Sequence, residues 1–190
     1  MNVLVAYAGL PASAEIAQQI ADRLRKSGHT AAVRPIEQVA RLEPYQAVVL
    51  GSTLRDEAWP PEACEFSSKF ASSLAKVPLW LFTACTLAET EHDSDSGLTR
   101  RPLGERATLG NAGTVSQFRE HRTFFWGPLA RGRRGALFEL LLQVCGGSAE
   151  DPREYRDVND WTAKIARELH TIDNVRERRR LHLSVRGRPG

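Results

Sequence analysis

Cysteine is scarce. Cys64, Cys85 and Cys145 are the only three in 190 residues, and no two of them stand in a C-x-x-C pair. That excludes a disulfide framework and argues against a structural zinc site, whose ligands come in close pairs. No uninterrupted apolar stretch approaches the roughly 18 residues that a helix needs to cross a bilayer. The opening Met1-Asn2-Val3-Leu4-Val5 has no basic leader ahead of its apolar run and no hydrophobic region of signal-peptide length, so a cytoplasmic protein is expected. Three catalytic signatures are also missing. There is no G-x-S-x-G elbow, no G-x-G-x-x-G loop and no Walker A sequence. Ser-His-Asp hydrolysis, nicotinamide binding and nucleoside triphosphate binding are therefore disfavoured, and Ser13, Glu15 and His29 form no triad.

An excess of charge of either sign is missing from the body of the chain. The overall balance is 26 basic against 23 acidic residues, or +3. Residues 171–190 hold six arginines (176, 178, 179, 180, 186 and 188) against Asp173 and Glu177, which is +4. The first 170 residues carry 20 basic and 21 acidic side chains, or −1. A basic nucleic-acid-binding face is not indicated. The last 20 residues read as a basic C-terminal tail, either a docking segment for an anionic surface or a solubilising, mobile end.

What is present is an alternation of buried strands and amphipathic helices. Asn2–Tyr7 is a short apolar run rich in β-branched residues, as expected of a strand covered on both faces. From Ala14 to Lys26 the period changes to helical, with Ile16, Ile20 and Leu24 on one face, Ser13 as candidate N-cap and Gly28 as the stop. Further strands are expected at 30–34, 47–50 and 77–82, and a fifth at Thr123–Trp126. Helices are expected at 36–42, at 61–75 with Phe66, Phe70 and Leu74 along one face, at 136–144, and from Asp157 onward with Val158, Trp161, Ile165 and Leu169 as its stripe. Residues 89–118 lack periodicity and read as an irregular insertion.

Five strands alternating with helices imply right-handed crossovers and a three-layer α/β fold around a doubly wound parallel sheet. The domain should span 1–170. Ligands of such sheets bind beyond the carboxyl ends of the strands, at the switch point. The segments Ala8–Ser13, Gly51–Trp59 and Thr83–Thr90 should therefore be neighbours.

The stretches Val3–Ala8, Ala14-Glu15-Ile16-Ala17, Tyr45–Ser52, Val77–Thr83, Arg119–Phe124 and Arg156–Trp161 make the chain similar to the flavodoxin family. The likeness is to its small single-domain members that resemble menaquinone-dependent protoporphyrinogen oxidase. The resemblance implies strand order 2-1-3-4-5 and a non-covalent flavin mononucleotide (FMN) used for oxidoreductase or electron-transfer chemistry on a small aromatic or quinone substrate. It places the phosphate at the first helix N-terminus, against Gly9, Ala12 and Ser13, where free N–H groups and the helix dipole favour an anion. It places Ser52, Thr53 and Leu54 beside the ring and ribityl chain. Thr83, Ala84, Cys85 and Thr86 fall at the pyrimidine edge, where N–H donors stabilise charge that develops on reduction. Expected partners are a small-molecule substrate or a redox protein, with a second copy of the chain as a further candidate.

The first loop departs from the family's Ser/Thr/Gly-rich pattern. It reads Gly9-Leu10-Pro11-Ala12-Ser13, in which only Ser13 carries a hydroxyl and Pro11 offers no N–H. A second function is therefore carried alongside the first: a degenerate flavodoxin-like domain without flavin, acting as a binding or scaffold protein. No catalytic side chain and no metal ligand set is assigned. Cys85 reads as a small buried residue or a redox thiol. Glu89, Glu91, His92 and Asp93 read as a hydrated acidic loop, and Trp59 as a packing anchor or a ring neighbour. Arg119, His121 and Arg122 read as a solvated segment or a face for an acidic substrate.

Overall fold

In the computed structural model, residues 1–9, 11–53, 58–85, 118–125 and 152–186 are described. The elements are β1 (Asn2–Ala8), α1 (Pro11–Lys26), β2 (Thr30–Pro35), β3 (Ala47–Thr53), α2 (Pro61–Lys69), α3 (Ala71–Leu74), β4 (Leu79–Cys85), β5 (Glu120–Phe125) and α4 (Pro152–Arg186). The strands form one parallel sheet in the order β2-β1-β3-β4-β5. The alternation predicts a doubly wound parallel sheet, and this order is the one the resemblance implies. The insertion over 89–117, the apolar segment 136–144 and Trp126 lie outside the described residues.

Alternation along the strands divides the core in two. Val3 and Val5 of β1, Val49 of β3, and Trp80, Phe82 and Ala84 of β4 face α1 and α4, where Ile16, Ile20, Leu24, Val158, Trp161, Ile165 and Leu169 are buried. Leu4, Ala6, Val48, Leu50, Leu79 and Leu81 face the other way, onto Trp59, Ala63, Phe66 and Leu74. Both faces are covered, which is why the strand sequences are continuously apolar rather than alternating with polar residues. A Cβ on Gly51 would run into the Phe82 ring, so the close approach of β3 to β4 requires glycine there.

Four expectations are corrected in detail. β3 and β4 run three residues beyond their apolar runs, through Thr53 and Cys85, because ladder pairing continues after hydrophobicity stops. The 61–75 helix is broken at Phe70 (φ −103, ψ 12) into α2 and α3. Phe66 and Phe70 still stack at 4.9 Å, so the apolar period runs across the break and conceals it in sequence. Residues 36–42 form only a 3-10 turn at Ile36–Gln38, with no side-chain cap, while Val39 and Leu42 still reach the core. Finally, the closing helix continues to Arg186, so most of the segment read as a separate tail is helical backbone.

α1 ends as its sequence requires. Gly28 adopts φ 86, His29 N–H donates to the Leu24 carbonyl and Gly28 N–H to the Arg25 carbonyl. This is the Schellman arrangement, which needs a residue tolerant of positive φ. The turn delivers His29 to α4. His29 Nε2 lies 3.3 Å from the Ala166 carbonyl, His170 Nε2 donates to the Ser27 carbonyl at 3.0 Å, and the two rings stack at 4.3 Å. Across β5, Lys164 bonds Glu120 at 2.7 Å, Arg119 meets Glu168 at 3.5 Å, and Trp161 packs edge-on against Phe124. These contacts fix α4 across the sheet.

Burial holds His29 below its ordinary value of 6.5; the His170 ring and the Met1 ammonium push the same way, against the Ala166 carbonyl and Asp173. The unfolded chain therefore takes up this proton at higher pH than the folded one. Its contribution to stability is present above about 6.5 and is lost as pH falls through that value toward the folded pKa. The melting temperature should drop on acidification from pH 8 to 5, and His29→Gln should flatten that slope; an unchanged slope in the variant would refute the assignment. Trp161→Ala should cost about 3–5 kcal/mol in denaturant unfolding, by cavity formation between Phe124 and α1.

Candidate functional site

The register places Ala8 beside Ser52 and Ser52 beside Thr83, with Thr53 paired to Ala84. The described parts of the three segments expected to converge do so at the carboxyl edge of the sheet. β1 gives way to α1 across only Gly9 and Leu10. Gly9 has φ 86, and a Cβ there would collide with the Thr53 hydroxyl, so glycine is required both for the turn and for the approach of the two strand ends.

Of the ten candidate cofactor residues, Leu54 and Thr86 lie outside the described residues, and Cys85 is placed only as the last backbone position of β4. Glu89, Glu91, His92 and Asp93 also lie outside them. The remaining seven are brought together, but mostly as strand and helix residues rather than as loop residues. Gly9 is exposed. Ala12, Ser13, Ser52, Thr53, Thr83 and Ala84 are buried. Ala12 and Ala84 belong to the core on the α1 face.

The hydroxyls point inward. Ser13 is fully buried in the first turn of α1, and its Oγ donates to the Ala8 carbonyl at 2.7 Å instead of standing before the helix as a cap. Ser52 Oγ donates to the Thr53 carbonyl at 3.0 Å. Thr83 Oγ1 accepts from Trp59 Nε1 at 2.9 Å and bonds His121 Nε2 at 2.9 Å. A hydroxyl has one proton to give, and Ser13 and Ser52 give theirs to the chain's own carbonyls.

The Trp59–Thr83–His121 chain was not legible in sequence. It joins residues 24 and 38 positions apart, and only the β4–β5 pairing sets His121 on the same side of the sheet as Thr83. Trp59 is 3% exposed, so it acts as the packing anchor of the two roles considered for it. Arg119, His121 and Arg122 do not make one cationic face. Arg119 lies over the Trp80 ring and pairs with Glu168, Arg122 pairs with Glu120, and His121 is tied to Thr83. Cys64, at the start of α2, donates to the Trp59 carbonyl; burial and the nearby Glu62 push its thiol pKa up, away from nucleophilic use.

A flavin at this edge would need a ring site and a phosphate site. At the ring position the three strand ends lie side by side, with Ala8, Ser52 and Thr83 buried. The phosphate position does not fit: Pro11 opens the helix, Ala12 is buried and apolar, and Ser13 spends its proton internally. Thr83→Val would leave the buried Trp59 N–H without its acceptor, at a cost of about 1–3 kcal/mol, against a few tenths for Thr83→Ser. Chemical denaturation of the two variants checks this, and equal losses would show that packing, not the hydrogen bond, holds Trp59.

Comparison with known proteins agrees with this geometry. The family model described as Flavodoxin domain matches residues 12–116. A flavodoxin from the domain Archaea superposes with a TM-score of 0.52 at 11% identity, covering 90% of this chain and 99% of that one. The Streptococcus pneumoniae flavodoxin gives 0.53 at 12% identity, over 88% and 98% of the two chains. Oxidised Flavodoxin 1 from Bacillus cereus gives 0.51 at 12%, over 87% and 97%. At such identities the likeness speaks for the fold alone. The search of curated proteins finds no match. With more than half of its length matched by the family and a 2-1-3-4-5 parallel sheet built as its sequence demands, this chain belongs to the flavodoxin domain family.

Proposed function

We propose that the chain is a flavin-dependent electron-transfer domain, working as an oxidoreductase on a small aromatic or quinone substrate or with a redox protein. The observation that carries this reading is the convergence of the β1, β3 and β4 carboxyl ends, with Ala8, Ser52 and Thr83 in register side by side. Such a platform at a topological switch point is where a planar ring is received in an open α/β sheet. The flavin would supply the redox chemistry. The protein would orient the ring, exclude water and offer backbone N–H groups where negative charge develops. The segment after β4, including Cys85 and Thr86, is the proposed source of those donors. The family's usual cofactor is FMN. The quinone and aromatic-substrate expectation comes from the resemblance to menaquinone-dependent protoporphyrinogen oxidase.

A second reading is favoured by one specific observation, the inward-turned hydroxyls of Ser13 and Ser52. In it the domain has given up its cofactor and serves as a binding or scaffold protein on the same fold. A spectrum of the purified protein, followed by titration of the apo-protein with FMN, decides between them. The electron-transfer reading expects flavin absorption bands or saturable quenching of flavin fluorescence, with a dissociation constant in the micromolar range or above. A colourless protein that leaves flavin fluorescence unchanged at saturating concentration selects the scaffold reading.

A further inference from the structure

We infer that the first loop of this domain does not grip phosphate, and that the ligand class it takes is therefore the isoalloxazine ring itself, with riboflavin accepted as well as FMN. This rests on the flavin reading above and narrows it. Four independent features close the phosphate position. β1 passes to α1 across two residues, too few for a loop that wraps a tetrahedral anion with successive backbone N–H groups. The residue opening the helix is Pro11, which removes the first donor of the turn. Gly9 lies against Thr53 so tightly that no Cβ fits between them, so the space beside the loop is filled by the end of β3.

The fourth feature is the destination of the hydroxyl protons. Phosphate oxygens accept hydrogen bonds and donate few or none, so a cradle must present donors. Ser13 carries the one hydroxyl between positions 9 and 14, and it is fully buried with its proton on the Ala8 carbonyl. Turning it outward would break that buried hydrogen bond, which opposes the rearrangement. What remains of an anion site is the dipole of α1 and the backbone N–H groups that follow Pro11 in its first turn, which holds no acidic residue. A helix start with no hydroxyl turned to the ligand and no wrapping loop attracts anions in general and distinguishes a phosphate ester poorly from the surrounding buffer salt.

The test uses the full chain and three probes: riboflavin, FMN and inorganic phosphate. Fluorescence titration should give riboflavin and FMN dissociation constants within about threefold of each other, and millimolar inorganic phosphate should not displace either. The loop variant Leu10→Thr/Pro11→Gly/Ala12→Ser should tighten FMN by about tenfold or more and leave riboflavin unchanged, since it restores donors at one end of the ligand only. FMN binding about a hundredfold tighter than riboflavin in the unaltered chain, the margin that two charge-assisted hydrogen bonds supply, would overturn the inference while upholding the flavin reading. Displacement of FMN by inorganic phosphate would overturn it in the same way. Binding of neither flavin would overturn both. The comparison of riboflavin with FMN on the unaltered protein stands even if the loop variant fails to fold.

Discussion

β1 is the strand on which the rest of the domain is hung. It pairs with β2 on one side and β3 on the other, is covered on both faces, and has Val3, Leu4, Val5 and Ala6 fully buried. Parallel pairing forces each return of the chain through a crossover, and the right-handed crossover sends α1 to one face and α2 with α3 to the other. The reversal of direction next to β1 opens the crevice at its carboxyl end. A polar substitution within Val3–Ala6 would therefore disturb both cores and the crevice at once.

The same constraint explains why the crevice is lined as it is. Strand pairing extends past the apolar runs, so Ser52, Thr53 and Thr83 are ladder residues with buried side chains. Burial obliges their polar atoms to find partners within the protein. Ser13 and Ser52 turn to nearby carbonyls, and Thr83 links Trp59 to His121. The hydroxyls that look like cofactor ligands in a linear reading are the ones that stitch the carboxyl edge together. In the first loop the one hydroxyl, that of Ser13, is committed to the Ala8 carbonyl.

On the α1 face the sheet is covered by α4. It is held at β5 by Lys164–Glu120 and the Phe124–Trp161 contact, and at the amino end by the His29–His170 stack and the Met1 ammonium facing Asp173 at 3.6 Å. Exposed ion pairs of this kind are worth little singly, about 0–1 kcal/mol each. The apolar stripe of Val158, Trp161, Ile165 and Leu169 does most of the anchoring, and the charges set its direction.

Sequence by itself determined the layers, the number of strands and the segments that meet at the crevice. The apolar runs Val3–Ala6, Ala47–Leu50 and Leu79–Phe82 admit only strands covered on both faces, and the 3.6-residue stripes of α1 and α4 admit only helices laid on them. Gly28 announced the end of α1 because positive φ there excludes most other residues. The break at Phe70 stayed hidden because Phe66, Phe70 and Leu74 keep their period across it. The helical continuation of 171–186 stayed hidden because an Arg-rich segment has no stripe to read. Ser13 and Ser52 turn to carbonyls five and one residues away, within their own turn and strand, whereas the partners of Thr83 were decided by tertiary structure alone. Whether Thr83 meets a cofactor or His121 depends on which neighbours the sheet register brings within hydrogen-bond reach, and residues 38 positions apart carry no local signal of that distance.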